Sequence, residues 1–271
     1  MDFNVISDGL KKGFEIWQKN MVAFIVGCLI LAIPIVIFVV FMVLSGFVTT
    51  LVTRFLVSLV PSLFASLLSN FVVSLIFRII YVLFAIFVVI PLTLGLINMA
   101  FKGVRGDTVD FKDVFYAFTS SKAYIRCAIF AATFILPFFI IEFLNIILNL
   151  IVGFLMLNFL SVSSLVVGSF ASLILTVIFL IINLILAILL FFAPYIFVMS
   201  PSEKAMYAIK ESFKTAKTNL IMTIVLVLVC AILNIIGMIP LGLGLLLTIP
   251  LGYMLIVIAL KEMRPDIRDQ S

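Results

Sequence analysis

The chain has 271 residues, of which 66% are apolar and 11% charged, with a mean hydropathy of +1.45. A soluble domain carries roughly 25% charged residues to wet its surface. Here 29 Phe stand beside 17 basic and 12 acidic side chains, which excludes a soluble enzyme, a secreted disulfide scaffold and a nucleic-acid binder. There is no histidine, so His-based nucleophilic, metal and proton-relay chemistry is excluded too. Cys28, Cys127 and Cys230 lie far apart in apolar stretches and read as small helix-packing residues.

The first segment, Ser7 to Asn20, reads as an amphipathic helix with Leu10, Phe14 and Trp17 on one face and Lys11, Lys12 and Lys19 around it. The apolar block 21–101 follows, interrupted by Arg54 and Arg78. It is too long for one simple pair of spanning helices of about 20 residues each. Its surplus, around 48–72, carries Thr50, Arg54, Ser58, Ser62, Ser66, Asn70, Ser74 and Arg78 at every fourth position. That spacing predicts short amphipathic pieces in the outer interface, with longer tilted spanning helices as the alternative. A secretory signal peptide is not expected, because the first apolar run is too long for an h-region and no A-x-A-like site follows.

A second basic strip, Lys102 to Arg126, contains the amphipathic segment Asp110–Phe118, whose acidic residues Asp107, Asp110 and Asp113 resemble helix-start caps. The block 127–202 carries Glu142 as its isolated charge, with a surplus around 143–166 like that of the first block. The third strip opens Ser200-Pro201-Ser202-Glu203, which predicts a capping box with Pro at the first helical position. Met206, Ile209, Phe213 and Ala216 are then expected on its apolar face. The block 218–260 is a pair of spanning helices turning between Gly237 and Gly244, and Lys261, Arg264 and Arg268 follow it.

Every basic residue except Arg54 and Arg78 lies in the four strips outside the three blocks. The positive-inside rule places all four strips in the cytoplasm, so each block crosses an even number of times. The expected fold is all-α: a polytopic integral membrane protein of six transmembrane helices, in three hairpins each preceded by a cytoplasmic amphipathic helix, with both termini inside. A threefold pseudo-repeat, 1–104, 105–199 and 200–271, runs through the single membrane domain. Gly13-Phe14, Ala117-Phe118 and Ser212-Phe213 align, as do Asn20, Tyr124 and Asn219 six residues on. Pro91, Pro194 and Pro250 sit at matching places in the three closing helices.

Two stretches carry a family resemblance. One is Pro91-Leu-Thr-Leu-Gly95 leading through Lys102-Gly-Val-Arg105-Gly-Asp107 into the aromatic segment. The other runs from Ser202 through Ala208, Ser212 and Lys217 to Asn219, with Ile249-Pro250 beyond. Both resemble the six-helix membrane-domain family named after glycerophosphoryl diester phosphodiesterases and its bacterial and archaeal integral membrane relatives. In the named enzymes hydrolysis belongs to a separate soluble domain with clustered acidic and His residues, which this sequence does not contain. The resemblance therefore implies a membrane module without that activity.

Counting ~1.5 Å per residue puts Arg78 roughly 36 Å from Lys102 and Glu142 roughly 24 Å from Arg126. Arg54, Arg78 and Glu142 thus form a candidate outer-face polar cluster, read as interface anchors or an Arg–Glu pair ahead of a substrate site. Asn183 and Asn234 lie deeper and suit helix–helix hydrogen bonds. Lys204, Lys210, Lys214 and Lys217 are candidate contacts to anionic lipid, although topology alone accounts for them more simply. No catalytic residue, cofactor or metal is expected. The expected function is a non-catalytic module organising membrane lipids or a membrane-protein partner at the cell membrane. A transporter or channel for a small or amphipathic solute is the alternative, and a lipid-modifying enzyme using the outer Arg54/Arg78/Glu142 set ranks third.

Overall fold

A computed structural model describes residues 4–59, 63–157, 162–201, 203–240 and 242–264, with side chains left undescribed at 4, 53, 56–59, 63–71, 74, 156–157 and 162–166. All regular structure among these residues is helical. In chain order the helices are α1 (Asn4–Lys19), α2 (Met21–Leu59), α3 (Leu63–Phe84), α4 (Ile90–Arg105), α5 (Ser121–Leu157), α6 (Val162–Leu189), α7 (Ala193–Met199), α8 (Ala205–Thr218), α9 (Leu220–Met238) and α10 (Leu245–Met263). A π-helical turn, Ala85–Val89, joins α3 to α4, and a 3₁₀ helix, Phe111–Phe118, precedes α5.

Six stretches are long and apolar enough to cross a membrane: Met21–Val52, Leu75–Arg105, Ser121–Leu155, Val167–Met199, Leu220–Met238 and Leu245–Met263. The last two have 19 residues each, or about 28 Å of helix, close to the ~30 Å hydrocarbon core. The first four have 31 to 35 residues. A tilt of about 40° absorbs only about 26 residues, so these helices exceed what tilting accommodates. Of the surplus, 48–59 continues α2 and 143–157 continues α5, so at these residues the chain forms the ends of long helices rather than separate short ones. Ser62 lies outside the described residues, as do the side chains of Ser58, Ser66, Asn70 and Ser74.

The chain divides into two compact units, one of Met1–Ile35, Ile86–Phe134 and Ala187–Ser271, the other of Val36–Ala85 and Ile135–Leu186. Each of the four crossings between them falls beside a helix irregularity: Pro34, the π turn Ala85–Val89, Pro137, and the turn Leu190–Phe192 before Pro194. Proline removes a helical N–H and crowds the preceding turn, which weakens the helical hydrogen-bonding at Pro34 and Pro137.

The first unit has a dense core built from the three segments that follow Pro91, Pro194 and Pro250. Leu94, Ile97 and Phe101 of α4, Ile196, Phe197 and Met199 of α7, and Leu255, Ile256 and Leu260 of α10 are buried together, with Phe130 of α5 stacked on Phe197 at 4.2 Å between centroids. In lipid the gain comes from close packing rather than from escaping water, which favours small residues where backbones meet. Gly95 shows this sharply: a Cβ there would stand 1.8 Å from the carbonyl oxygen of Val114, so the 3₁₀ helix lies directly on the α4 backbone. Likewise α1 seats on α10, where a Cβ at Gly13 would stand 3.1 Å from Leu251 Cδ1. α8 packs on α7 with Ala205, Ala208, Ser212 and Thr215 buried. Thus the end of α4 carries the 3₁₀ helix, α7 carries α8, and α10 carries α1, the last contact joining the two ends of the described chain. α9 and α10 pack together across a turn where Gly237 and Gly244 touch backbone to backbone, and Gly242 takes a φ of 80°.

The predicted capping box at Ser200–Glu203 does not form. α8 begins at Ala205 with Lys204 at the N-cap and no side-chain cap, while Ser200 closes α7. The groups a box needs are bonded elsewhere: the Ser200 N–H donates to the Ile196 carbonyl at 2.9 Å, closing α7, and the Glu203 N–H donates to the Ser200 carbonyl at 3.2 Å rather than to its side chain. The residues expected on the apolar face of α8 divide: Ala216 is buried, Ile209 is half-buried, and Met206 and Phe213 are exposed. Small side chains win the contact with α7 because they allow the closer approach.

The second unit contains the C-terminal parts of α2 and α5 together with α3 and most of α6. Phe38 and Phe41 pack on Tyr81, whose hydroxyl pairs with that of Ser45.

Candidate functional site

Helix ends in the first unit are fixed by charged side chains, each with a different partner. Lys102, in the last turn of α4, donates to Asp113 of the 3₁₀ helix at 2.6 Å. Asp113 also accepts from the Asp110 backbone N–H at 3.1 Å, and Asp110 caps Lys112 N at 3.0 Å, so these acids are the reciprocal cap that their spacing suggests. Asp107 lies 3.5 Å from Arg105. Arg264, at the end of α10, donates to Glu211 at 2.5 Å and Thr215 at 3.0 Å, pinning α8. Asn20 and Asn219 play matching parts at the exits of α1 and α8, each donating its side-chain amide to the carbonyl four residues back.

Arg126 makes the most elaborate of these contacts. Its guanidinium donates to the carbonyls of Phe197 and Ser200 at 3.0 and 2.9 Å and to the Tyr116 hydroxyl at 3.3 Å, and it covers the Phe197 ring at 4.2 Å. Both carbonyls lie at the end of α7, where a cation offsets the negative end of the helix, and that of Ser200 accepts from the Glu203 N–H as well. No carboxylate neutralises Arg126 among the described residues. Sequence reasoning counted Arg126 only as a topological charge; its signal was its place as the last cation before the charge-free run 127–141.

Beside Arg126 lies a cleft of about 580 Å³ between the start of α5 and the turn into α8. Ile125, Ile129, Thr133 and Met206 form its wall, while Lys122, Lys204 and Glu203 stand at it with Arg126. A second cleft, of about 480 Å³, lies between the end of α1 and the loop Gly103–Thr108, and its cations Lys12, Lys19 and Arg105 face the acids Glu15 and Asp107. Of the lysine set, Lys204 lines the first of these clefts. Lys210, Lys214 and Lys217 are exposed on α8.

Two of the three members of the predicted polar cluster meet in the second unit. Arg78 of α3 and Glu142 of α5 pair at 2.7 Å, with side chains 39% and 42% exposed. Arg54 is exposed on α2 and takes no part in that pair. Asn234 accepts from Thr248 at 3.3 Å, bridging α9 and α10 as expected for a helix–helix contact. Asn183 instead donates to the Phe179 carbonyl of its own helix at 3.1 Å, because a side chain on a spanning helix finds the i−4 carbonyl nearest.

Among the described residues no group of three or more Cys, Asp and Glu side chains gathers in a way that could hold a metal ion. No protein-family model, curated protein or solved structure matches the chain.

Proposed function

We propose that the chain is a non-catalytic, multi-pass module that organises lipid or partner proteins at the cytoplasmic face of the cell membrane. In this reading its six spanning helices form three hairpins, each preceded by an interfacial helix, and both termini are cytoplasmic. The pseudo-repeats 1–104, 105–199 and 200–271 surround a common axis, each closing helix carrying the interfacial helix of the next repeat. The sequence resemblance to the glycerophosphoryl diester phosphodiesterase membrane domains fits this reading and supplies no activity.

One observation carries the proposal. In α1, the 3₁₀ helix and α8, the aligned small residue is buried and the Phe after it is exposed: Gly13, Ala117 and Ser212 face inward, while Phe14, Phe118 and Phe213 are 41%, 44% and 45% exposed. Phe111, Phe115 and Met206 are exposed beside them. Short helices that expose Phe next to Lys are suited to the headgroup boundary, where the rings enter the acyl region and the cations stay wet. Three of them on one unit make a broad surface for lipid or a membrane partner. The hydroxyls of Thr49, Thr50, Thr133 and Thr176 bond carbonyls of their own helices, so no specific observation favours a polar path for a solute.

Mass spectrometry of material co-purifying from the native membrane in mild detergent tests the proposal. A stoichiometric protein or lipid partner, lost when the exposed face of α8 is scrambled, supports it. Solute flux through liposomes containing the purified chain alone overturns it in favour of a transporter.

A further inference from the structure

We propose that the cleft beside Arg126 binds one anionic glycerophospholipid, with its phosphate between Lys122 and Lys204 and one acyl chain along Ile125, Ile129 and Met206. This rests on the reading of the chain as a membrane module and names a ligand for it. The cleft holds three cations and one carboxylate, Glu203. Lys122 and Lys204 form no ion pair among the described residues, and Arg126 is held by neutral carbonyls, a hydroxyl and a ring, so its charge is not cancelled. Lys204 stands at the N-cap of α8, where the first-turn N–H groups have no side-chain acceptor, which adds a favourable field for an anion.

Charge alone would equally suit a soluble anion, but the wall of the cleft is apolar. Ile125, Ile129 and Met206 are each about half exposed and run away from the lysines along α5 and the start of α8. Inorganic phosphate would leave that wall bare; an amphiphile satisfies both ends. A zwitterionic headgroup would bring its ammonium close to two lysines, so an anionic headgroup is selected. The volume of about 580 Å³ lies within the ~300–1,000 Å³ typical of ligand clefts. The second cleft, whose acids face its cations, offers no comparable excess of positive charge.

Native mass spectrometry of the full chain in mild detergent, titrated with phosphatidylglycerol or phosphatidylcholine, provides the test. Phosphatidylglycerol is expected to bind in preference. Lys122→Ser with Lys204→Ser should weaken it about thirtyfold, roughly fivefold per lysine. Lys210→Ser with Lys214→Ser should change it less than twofold, and Ile129→Trp, which fills the cleft, should weaken it with both lysines in place. Size-exclusion profiles check that each variant remains folded. Equal loss from the two lysine pairs, or equal binding of the two lipids, overturns the site. Displacement of phosphatidylglycerol by millimolar inorganic phosphate, with Ile129→Trp silent, overturns the lipid assignment in favour of a free anion. Failure here with a protein partner still retained leaves the module reading standing; liposome flux with the lipid site intact sinks the module reading alone.

Discussion

Gly95→Ala adds one methyl group at the closest backbone approach described above. The new Cβ would lie 1.8 Å from Val114 O, 2.4 Å from Val114 C and 2.7 Å from Val114 Cα. Ordinary contact requires about 3.5 Å, so the 3₁₀ helix must retreat by more than an ångström, and no side-chain rotation relieves a clash with backbone. Retreat uncovers Val114 and Ala117, both fully buried, and stretches the Lys102–Asp113 contact of 2.6 Å. Overpacking costs about 1–3 kcal/mol, partial exposure of a buried Val about 1–2 kcal/mol, and a half-exposed ion pair under about 1 kcal/mol. The total expected is about 3–5 kcal/mol. The assay is the thermal midpoint in mild detergent, with a fall of roughly 6 °C or more, together with faster tryptic cleavage after Lys112. Gly46→Ala serves as the control, since a Cβ there meets nothing within 4 Å and Ala is the better helix former by about 1 kcal/mol. A Gly95→Ala protein that behaves like Gly46→Ala would refute the packing account.

Arg78→Gln and Glu142→Gln should each destabilise the protein more than half as much as the double variant, giving a coupling of about 1 kcal/mol in a double-mutant cycle, because either single change strands a charge among apolar helices; additive effects would show that the 2.7 Å pair contributes nothing. Arg126→Lys keeps the charge but loses the fork that reaches both the Phe197 and Ser200 carbonyls, so the thermal midpoint should drop as for a loss of about 2 kcal/mol, and an unchanged midpoint argues against the clamp. Phe118→Trp, introduced with Trp17→Phe to remove the one native Trp, should be quenched by lipids brominated near the headgroup and spared by aqueous iodide; the reverse pattern would place the 3₁₀ helix in water.

Composition and charge placement alone determined that this chain is helical, with stretches long and apolar enough to span a membrane. Lipid cannot hydrogen-bond a backbone, so long apolar runs have no stable alternative to helix there, and six such stretches are found at the predicted blocks. Local rules also fixed what depends on near neighbours: the Asp110–Asp113 cap and the turn between Gly237 and Gly244. Local rules failed where the preceding helix competes for the same atoms. The Ser200–Glu203 box reads as a helix start, yet the Ser200 N–H is taken by the Ile196 carbonyl at the end of α7, and the next helix starts at Ala205. Periodicity grouped Met206, Ile209, Phe213 and Ala216 on one face of α8 but did not show that Ala205, Ala208, Ser212 and Thr215 form its buried side, because hydrophobicity measures escape from water, whereas close packing rewards small side chains. That Lys122 and Lys204 share a cleft while Lys210, Lys214 and Lys217 do not was decided by the tertiary structure alone. The same is true of the seat of α1 on α10. Both depend on which helix ends meet, a property of three-dimensional closure that no spacing along the chain encodes.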